Sequence, residues 1–168
     1  MQHLVLNAKG HKGILVCPEL GSFPVTIGKA GLTANKQEGD KATPIGTFTL
    51  TEAFGLLPKP PTRLPYRQIS SHTLCIDDPS SCHYNTLVEE NQIPSDWLSC
   101  ERMASFTPQY HYGIIIDSPL GSCLFIHVWK TPNTPTAGCI ALSEKNLLKI
   151  LAWLDPAERP QLIVAFQN

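Results

Sequence analysis

The sequence predicts a mainly β domain with few helices, and three observations carry that reading. Fifteen prolines and eleven glycines cut the 168 residues into short apolar runs that are bounded by turn signals, as in β-rich domains. Several of those runs are rich in Val, Ile, Phe and Thr, the residues that suit a pleated surface. A single stretch has helical spacing: Leu147, Ile150, Leu151 and Leu154 form one apolar stripe behind Ser143, a natural N-cap.

In chain order, His3–Leu6 and Gly13–Cys17 flank Lys9-Gly-His-Lys and read as a hairpin; Phe23–Gly28 follows as a third strand. Pro44 and Gly46 set a turn before the strand Thr47–Thr51. Residues 54–110 change character. Seven of the fifteen prolines lie there, which predicts a loop-rich insertion with one short helix near Trp97–Met103, of the kind that flanks sites. Tyr110–Asp117 is a continuous apolar run, expected to be a buried strand. Ser118-Pro-Leu-Gly121 turns it back into Ser122–Trp129. The helix 144–154 ends at Asp155-Pro156, and Gln161–Phe166 closes the chain as a strand. A chain of this length is most simply one domain spanning 1–168.

Composition excludes several classes. Hydrophobic content of 42% with 16% charged residues is ordinary for a soluble protein, and a net charge of −1 gives no case for nucleic acid or an anionic membrane. No window approaches the ~20 apolar residues of a membrane span. The N-terminus lacks a basic segment and a long apolar run, so a cytoplasmic location is expected if Met1 is the native start, and a periplasmic or extracellular one otherwise. Six cysteines, less one nucleophile, leave an odd number and no tidy disulfide framework; Cys75 and Cys82 are the pair to consider if the chain is exported. His72, Cys75, Cys82 and His83 have zinc-binding side chains, but their spacing matches no compact ligand pair, so no metal and no cofactor is expected. Asp77 and Asp78 read as turn residues, Glu101 as a solvated helix face, and His111 as structural.

The chemistry concentrates between Ser122 and Leu142. His127 sits on a strand whose alternation groups it with Phe125 and Trp129, away from Leu124, Ile126 and Val128. Cys139 follows twelve positions later, directly after Gly138, at the end of a Pro/Thr-rich loop. A thiol acts as a nucleophile through its thiolate, and an imidazole within reach can take that proton. The backbone amides of Ala137, Gly138 and Cys139 are the natural donors for a tetrahedral oxyanion. No carboxylate identifies itself by spacing as the group that orients His127.

The runs G-S-C-L-F-I-H and T-A-G-C-I-A-L resemble the active-site signature of the L,D-transpeptidase (YkuD-type) catalytic domain family. Glu38–Phe48, E-G-D-K-A-T-P-I-G-T-F, is similar to that family's other familiar block, and Tyr84-Asn85 and Ser99–Met103 resemble a sub-branch. The resemblance implies a β-sandwich of mixed sheets with one helix after Cys139. It implies Cys139 and His127 as the catalytic pair, and a thioester formed at the L-centre to D-Ala bond of a peptidoglycan stem tetrapeptide or muropeptide, with release of D-Ala. Tyr84, Asn85, Arg102, Trp129 and Thr136 become substrate-binding candidates. Many members carry a His before the Gly-Cys pair and an Arg two positions after it; this chain has Ala137 and Ala141, so the group that holds the substrate carboxylate lies elsewhere, with Arg102 and Arg67 to be considered. An amine acceptor gives transpeptidation; water gives an L,D-carboxypeptidase, which in the cytosol would trim recycled tetrapeptides to tripeptides. A non-catalytic peptide- or glycan-binding module on the same fold is the reading from another class. Papain-like peptidases place Cys before His, and sortases separate the pair more widely. The sequence fixes neither acceptor nor oligomeric state.

Overall fold

The computed structural model describes residues 1–166. In chain order the strands are β1 (His3–Lys9), β2 (Lys12–Cys17), β3 (Gly21–Thr26), β4 (Leu32–Thr33), β5 (Thr43–Pro44), β6 (Gly46–Gly55), β7 (Tyr66–Gln68), β8 (Thr73–Ile76), β9 (Leu87–Glu89), β10 (Cys100–Arg102), β11 (Gly113–Asp117), β12 (Phe125–Val128), β13 (Ile140–Leu142) and β14 (Gln161–Val164). One α-helix, α1 (Glu144–Trp153), lies between β13 and β14. No helix among the described residues is long and apolar enough to cross a membrane.

The main sheet has nine strands in the order β11-β12-β13-β3-β2-β1-β14-β6-β7, and β11 pairs with β6 as well, so the sheet folds back on itself. The result is the expected sandwich with both parallel and antiparallel pairs. A bulge between Ile114 and Ile116 bends β11 where it meets β6. The first core is drawn from alternate residues of these strands, including Leu4, Leu6, Leu15, Leu50, Ile126 and Leu142. Helix α1 adds Leu147, Ile150, Leu151 and Leu154 to it, and the Ser143 hydroxyl accepts from the Asn146 amide as its N-cap. The hairpins, the closing strand and this helix therefore stand where local patterning puts them.

The stretch from 54 to 110 departs from expectation in two respects. It builds a separate three-stranded sheet, β10-β8-β9, with a small core of Leu74, Ile76 and Val88. The helix expected over Trp97–Met103 is replaced by β10, which pairs antiparallel with β8 and is followed by a single 3-10 turn at Met103–Ser105. Long-range pairing to β8, not local patterning, sets this segment. Tyr110 likewise belongs to a 3-10 turn, Gln109–His111, before β11 begins at Gly113.

Cys75 of β8 is disulfide-bonded to Cys123, across a sequence separation of 48 with Cα atoms 6.1 Å apart. The expected absence of a framework, and Cys82 as the partner of Cys75, are both corrected: Cys82 is free and exposed. Register decides the matter, because β8 holds Cys75 against the turn leading into β12. The bond ties the small sheet to the main one. On the loop-entropy account, converting both cysteines to alanine lowers stability by about 2–4 kcal/mol, measurable as a lower denaturant midpoint with a steeper slope, since the uncross-linked unfolded chain exposes more surface.

Candidate active site

Strands β12 and β13 run parallel, with His127 opposite Ala141 and Ile126 opposite Ile140. Cys139 immediately precedes β13, and the same register sets it beside Phe125, whose amide donates to its Sγ at 3.4 Å. Side chains two apart share a face, so Phe125, His127, Cys139 and Ala141 look the same way. His127 and Cys139 both line one open cavity of about 440 Å³.

The loop that delivers Cys139 is held at three points. Thr136 is bridged to Gly28, its amide donates to the Ile27 carbonyl at 2.9 Å, and its hydroxyl donates to the Cys139 carbonyl at 2.6 Å. The Thr43 hydroxyl donates to the Gly138 carbonyl at 2.8 Å. Gly138 has φ +143°, and a Cβ there would stand 2.9 Å from the Ala42 carbonyl oxygen; the backbone passes too close for any side chain. The Glu38–Phe48 block thus forms the floor under the cysteine. Lys36, almost wholly buried, donates to Asp40 at 2.5 Å and to the Ala42 carbonyl at 2.8 Å, which braces that floor and sets a positive charge near the thiol.

His127 is 7% exposed. Its Nδ1 lies 2.7 Å from the Val128 carbonyl; a carbonyl only accepts, so Nδ1 carries the proton and Nε2 is left as the basic nitrogen. No carboxylate is needed as orienting group. The Tyr110 ring stands edge-on to the imidazole, centroids 5.5 Å apart at 77°. Burial pulls the imidazole down to about 4, against the effect of the Val128 carbonyl. Burial likewise pushes the Cys139 thiol up to about 12, with the Glu101 charge adding to it and the Phe125 amide and Lys36 opposing. At neutral pH the pair is therefore an uncharged thiol and an uncharged imidazole. The thiol donates to the Cys123 carbonyl at 3.2 Å; no hydrogen bond joins it to His127 among the described residues.

Residues 4–163 match the YkuD family, described as the L,D-transpeptidase catalytic domain. The chain belongs to that family. Comparison with curated protein sequences gives no significant match. Among solved structures it is similar to an L,D-transpeptidase from Mycobacterium smegmatis, at 17% identity over 98% of this chain and 58% of that one, with a TM-score of 0.47. L,D-transpeptidase 1 of Mycobacterium tuberculosis matches at 15% identity over 99% of this chain and 62% of that one, TM-score 0.43. L,D-transpeptidase 3 of the same organism, in complex with a faropenem-derived adduct, matches at 17% over 97% and 59%, TM-score 0.48. The chain spans about three fifths of the length of these L,D-transpeptidases.

Of the residues singled out in this L,D-transpeptidase domain by sequence, Cys139, His127, Ala137 and Thr136 line the cavity. The expected oxyanion donors need one correction: the Gly138 amide is committed to the Thr136 hydroxyl at 3.1 Å, which leaves the Ala137 and Cys139 amides without an acceptor among the described hydrogen bonds. Four substrate-binding candidates stand elsewhere. Arg102 makes a two-pronged ion pair with Glu90. Trp129 lies past the end of β12, where the alternation breaks, and packs on the main core. Asn85, at φ +59°, accepts from the Cys123 amide and donates to the Ser118 carbonyl, so it shapes the turn holding Cys123. The Tyr84 hydroxyl reaches Glu38 on the cavity rim at 3.1 Å. Arg67 pairs with Glu52. The cations that do line the cavity are Lys41 and Lys130.

Sequence reasoning missed Glu101. On β10 its carboxylate enters the cavity and accepts from the Tyr110 hydroxyl at 2.5 Å. Burial, the largest cause, raises it to about 7 despite the Tyr110 hydrogen bond. No local signal marks it, because a three-residue strand paired at long range carries almost no pattern. The folded carboxyl keeps its proton where the unfolded one has ionised, so this group's stabilising contribution is complete below pH 4.5 and is lost as pH rises through 7. At about 1.4 kcal/mol per pH unit the displacement comes to about 3 kcal/mol at most. Glu101→Gln, which retains an acceptor for Tyr110, should gain up to about that much stability relative to the parent between pH 4 and pH 8. Denaturant unfolding of both proteins at the two pH values measures it; a difference independent of pH contradicts the assignment.

Proposed function

We propose that Cys139 is the nucleophile and His127 the general base of an acyl transfer at the L–D bond of a peptidoglycan stem tetrapeptide. The observation that carries this reading is the joint opening of the thiol and the imidazole onto one cavity from adjacent parallel strands. Substrate entry displaces the thiol from the Cys123 carbonyl toward His127 Nε2, which takes its proton as Sγ attacks the carbonyl carbon. The Cys139 and Ala137 amides face the developing oxyanion. Collapse breaks the C–N bond; the leaving D-Ala amine takes the proton from the imidazolium, and a thioester remains on Cys139. An acceptor amine then attacks the thioester, passes its proton to Nε2, and the thiol is restored. Water in the acceptor's place gives the tripeptide.

Lys41 and Lys130 are the groups available to a substrate carboxylate where Ala141 replaces the family's usual Arg. Glu38, Asp77 and Glu101 share the same cavity, so its lining suits a zwitterionic peptide. The Cys75–Cys123 disulfide supports an oxidising compartment outside the cytosol, where wall peptides are also met.

The test incubates the protein with a disaccharide-tetrapeptide, with and without a D-amino acid, and reads product masses. Exchange of the terminal residue is expected, with free D-Ala alone indicating hydrolysis. Cys139→Ser should abolish both, and His127→Ala should lower the rate roughly 10²–10⁴-fold. A carbapenem should leave an acyl adduct on Cys139. A folded protein that binds the muropeptide, turns over none of it and is indifferent to Cys139→Ser is a binding module instead.

A further inference from the structure

The turn after β8 and the segment leading into β10 bring three metal-binding side chains together outside the cavity. Cys82, His83 and Asp96 each offer one ligand atom, and these atoms all lie within 4.8 Å of one another. Cys82 and Asp96 are exposed and His83 is half-buried, so an ion reaches them without opening the fold. None of the three lines the cavity around Cys139. Sequence spacing alone gives no reason to expect a metal among His72, Cys75, Cys82 and His83; Cys75 is sealed in its disulfide, and Asp96, thirteen residues beyond His83, joins Cys82 and His83 through tertiary contact.

We propose that Cys82, His83 and Asp96 bind a divalent transition-metal ion, by their chemistry Zn²⁺, with solvent completing the coordination. One thiolate, one imidazole and one carboxylate suit a borderline-soft ion; Mg²⁺ and Ca²⁺ favour all-oxygen sites. Tetrahedral zinc with its usual bond lengths sets ligand atoms about 3.3–3.6 Å apart. The side chains therefore close by roughly 1 Å, a rotamer adjustment that leaves the backbone where it is.

The surroundings are those of a supported site. Asp96 accepts from the Ser81 hydroxyl at 2.5 Å through one oxygen and from the Cys82 amide at 2.9 Å through the other. Each oxygen keeps a lone pair for an ion, and the two bonds fix the plane of the carboxylate. The His83 ring stands edge-on to Trp97, centroids 5.9 Å apart at 82°, which holds its plane. Asp78 already braces the same segment, accepting from the Ser80 and Leu98 amides. An ion here would tie the 78–86 turn to the strandless stretch 90–99. Asp77, just before that turn, and Glu101, just after that stretch, both line the cavity, so the ion would stiffen the wall that carries them.

The 168-residue chain, with its disulfide intact, is titrated with Co²⁺ and then Zn²⁺. A thiolate-to-cobalt charge-transfer band and tetrahedral d–d bands should appear, and Zn²⁺ should displace them. Cys139→Ser and Cys100→Ser should leave the titration unchanged. Cys82→Ser should lose the charge-transfer band and weaken binding at least tenfold, and Asp96→Asn should weaken it several-fold. Zn²⁺ should raise the melting temperature of Cys139→Ser but not of Cys82→Ser, each compared with its own metal-free melt, and the metal-free melt of the exposed-site variant Cys82→Ser should match the parent, which separates lost binding from lost folding. Bands that persist in Cys82→Ser, bands that vanish in Cys139→Ser, or no band in the parent chain each overturn the proposal.

Discussion

The parallel pairing of β12 with β13 is the constraint on which the rest of the site depends. A register of His127 opposite Ala141 puts Cys139 one step back along the same face, beside Phe125, and therefore diagonal to the imidazole. A slip of one residue would turn either side chain into the main core, since side chains alternate between faces. The crossover between the two strands is the short loop 129–139, and this is why that loop is fixed so heavily, by the Gly28–Thr136 bridge and by Thr43. Hydrogen bonds to Ile27, Lys29 and Thr43 bring the segment after β3 and the 38–48 block into the support of one sulfur atom.

That arrangement has an electrostatic consequence. Burial disfavours the charged form of both partners, lifting the thiol to about 12 and lowering the imidazole to about 4. A resting thiolate–imidazolium pair is thereby avoided, and the thiol lies against the Cys123 carbonyl instead. In the proposed acyl transfer charge would be created only when an electrophile is present to absorb it, and the resting thiol is shielded from oxidation, a reaction of the thiolate. Lys36 is the fixed counterweight: fully paired and buried, it cannot reach a substrate, yet its charge still favours the thiolate.

How much of this could be read from the chain follows the range of the interactions. Helix α1 and its Ser143 cap were legible because 3.6-residue spacing and capping are local. His127 and Cys139 were legible because their two short motifs sit within twenty-one residues. Glu101 was not, because its surroundings come from Tyr110 and from the cavity, and the short helix expected near Trp97–Met103 is replaced by a strand paired with β8. The Cys75–Cys123 bond was beyond reach for a similar reason, since connectivity among six cysteines is set by which strands meet. Trp129 failed differently: alternation assigned it correctly up to Val128, and the strand then ended.

The small sheet β10-β8-β9 acquires its meaning from these non-local contacts. By itself it has three short strands and a core of three buried residues, too little to hold a fixed shape in water. It nevertheless supplies Glu101 and, at the end of β8, Asp77 to the cavity. Its covalent attachment is the disulfide at Cys75, whose other half, Cys123, also presents the carbonyl that receives the Cys139 thiol. Cys123 sits at φ +53° with its amide held by Asn85, so the same residue fixes both the wall of the cavity and the resting direction of the Cys139 thiol. Loss of the cross-link therefore bears on the thiol's acceptor as well as on stability, because Cys123 carries both the bond to Cys75 and the carbonyl that receives the Cys139 thiol.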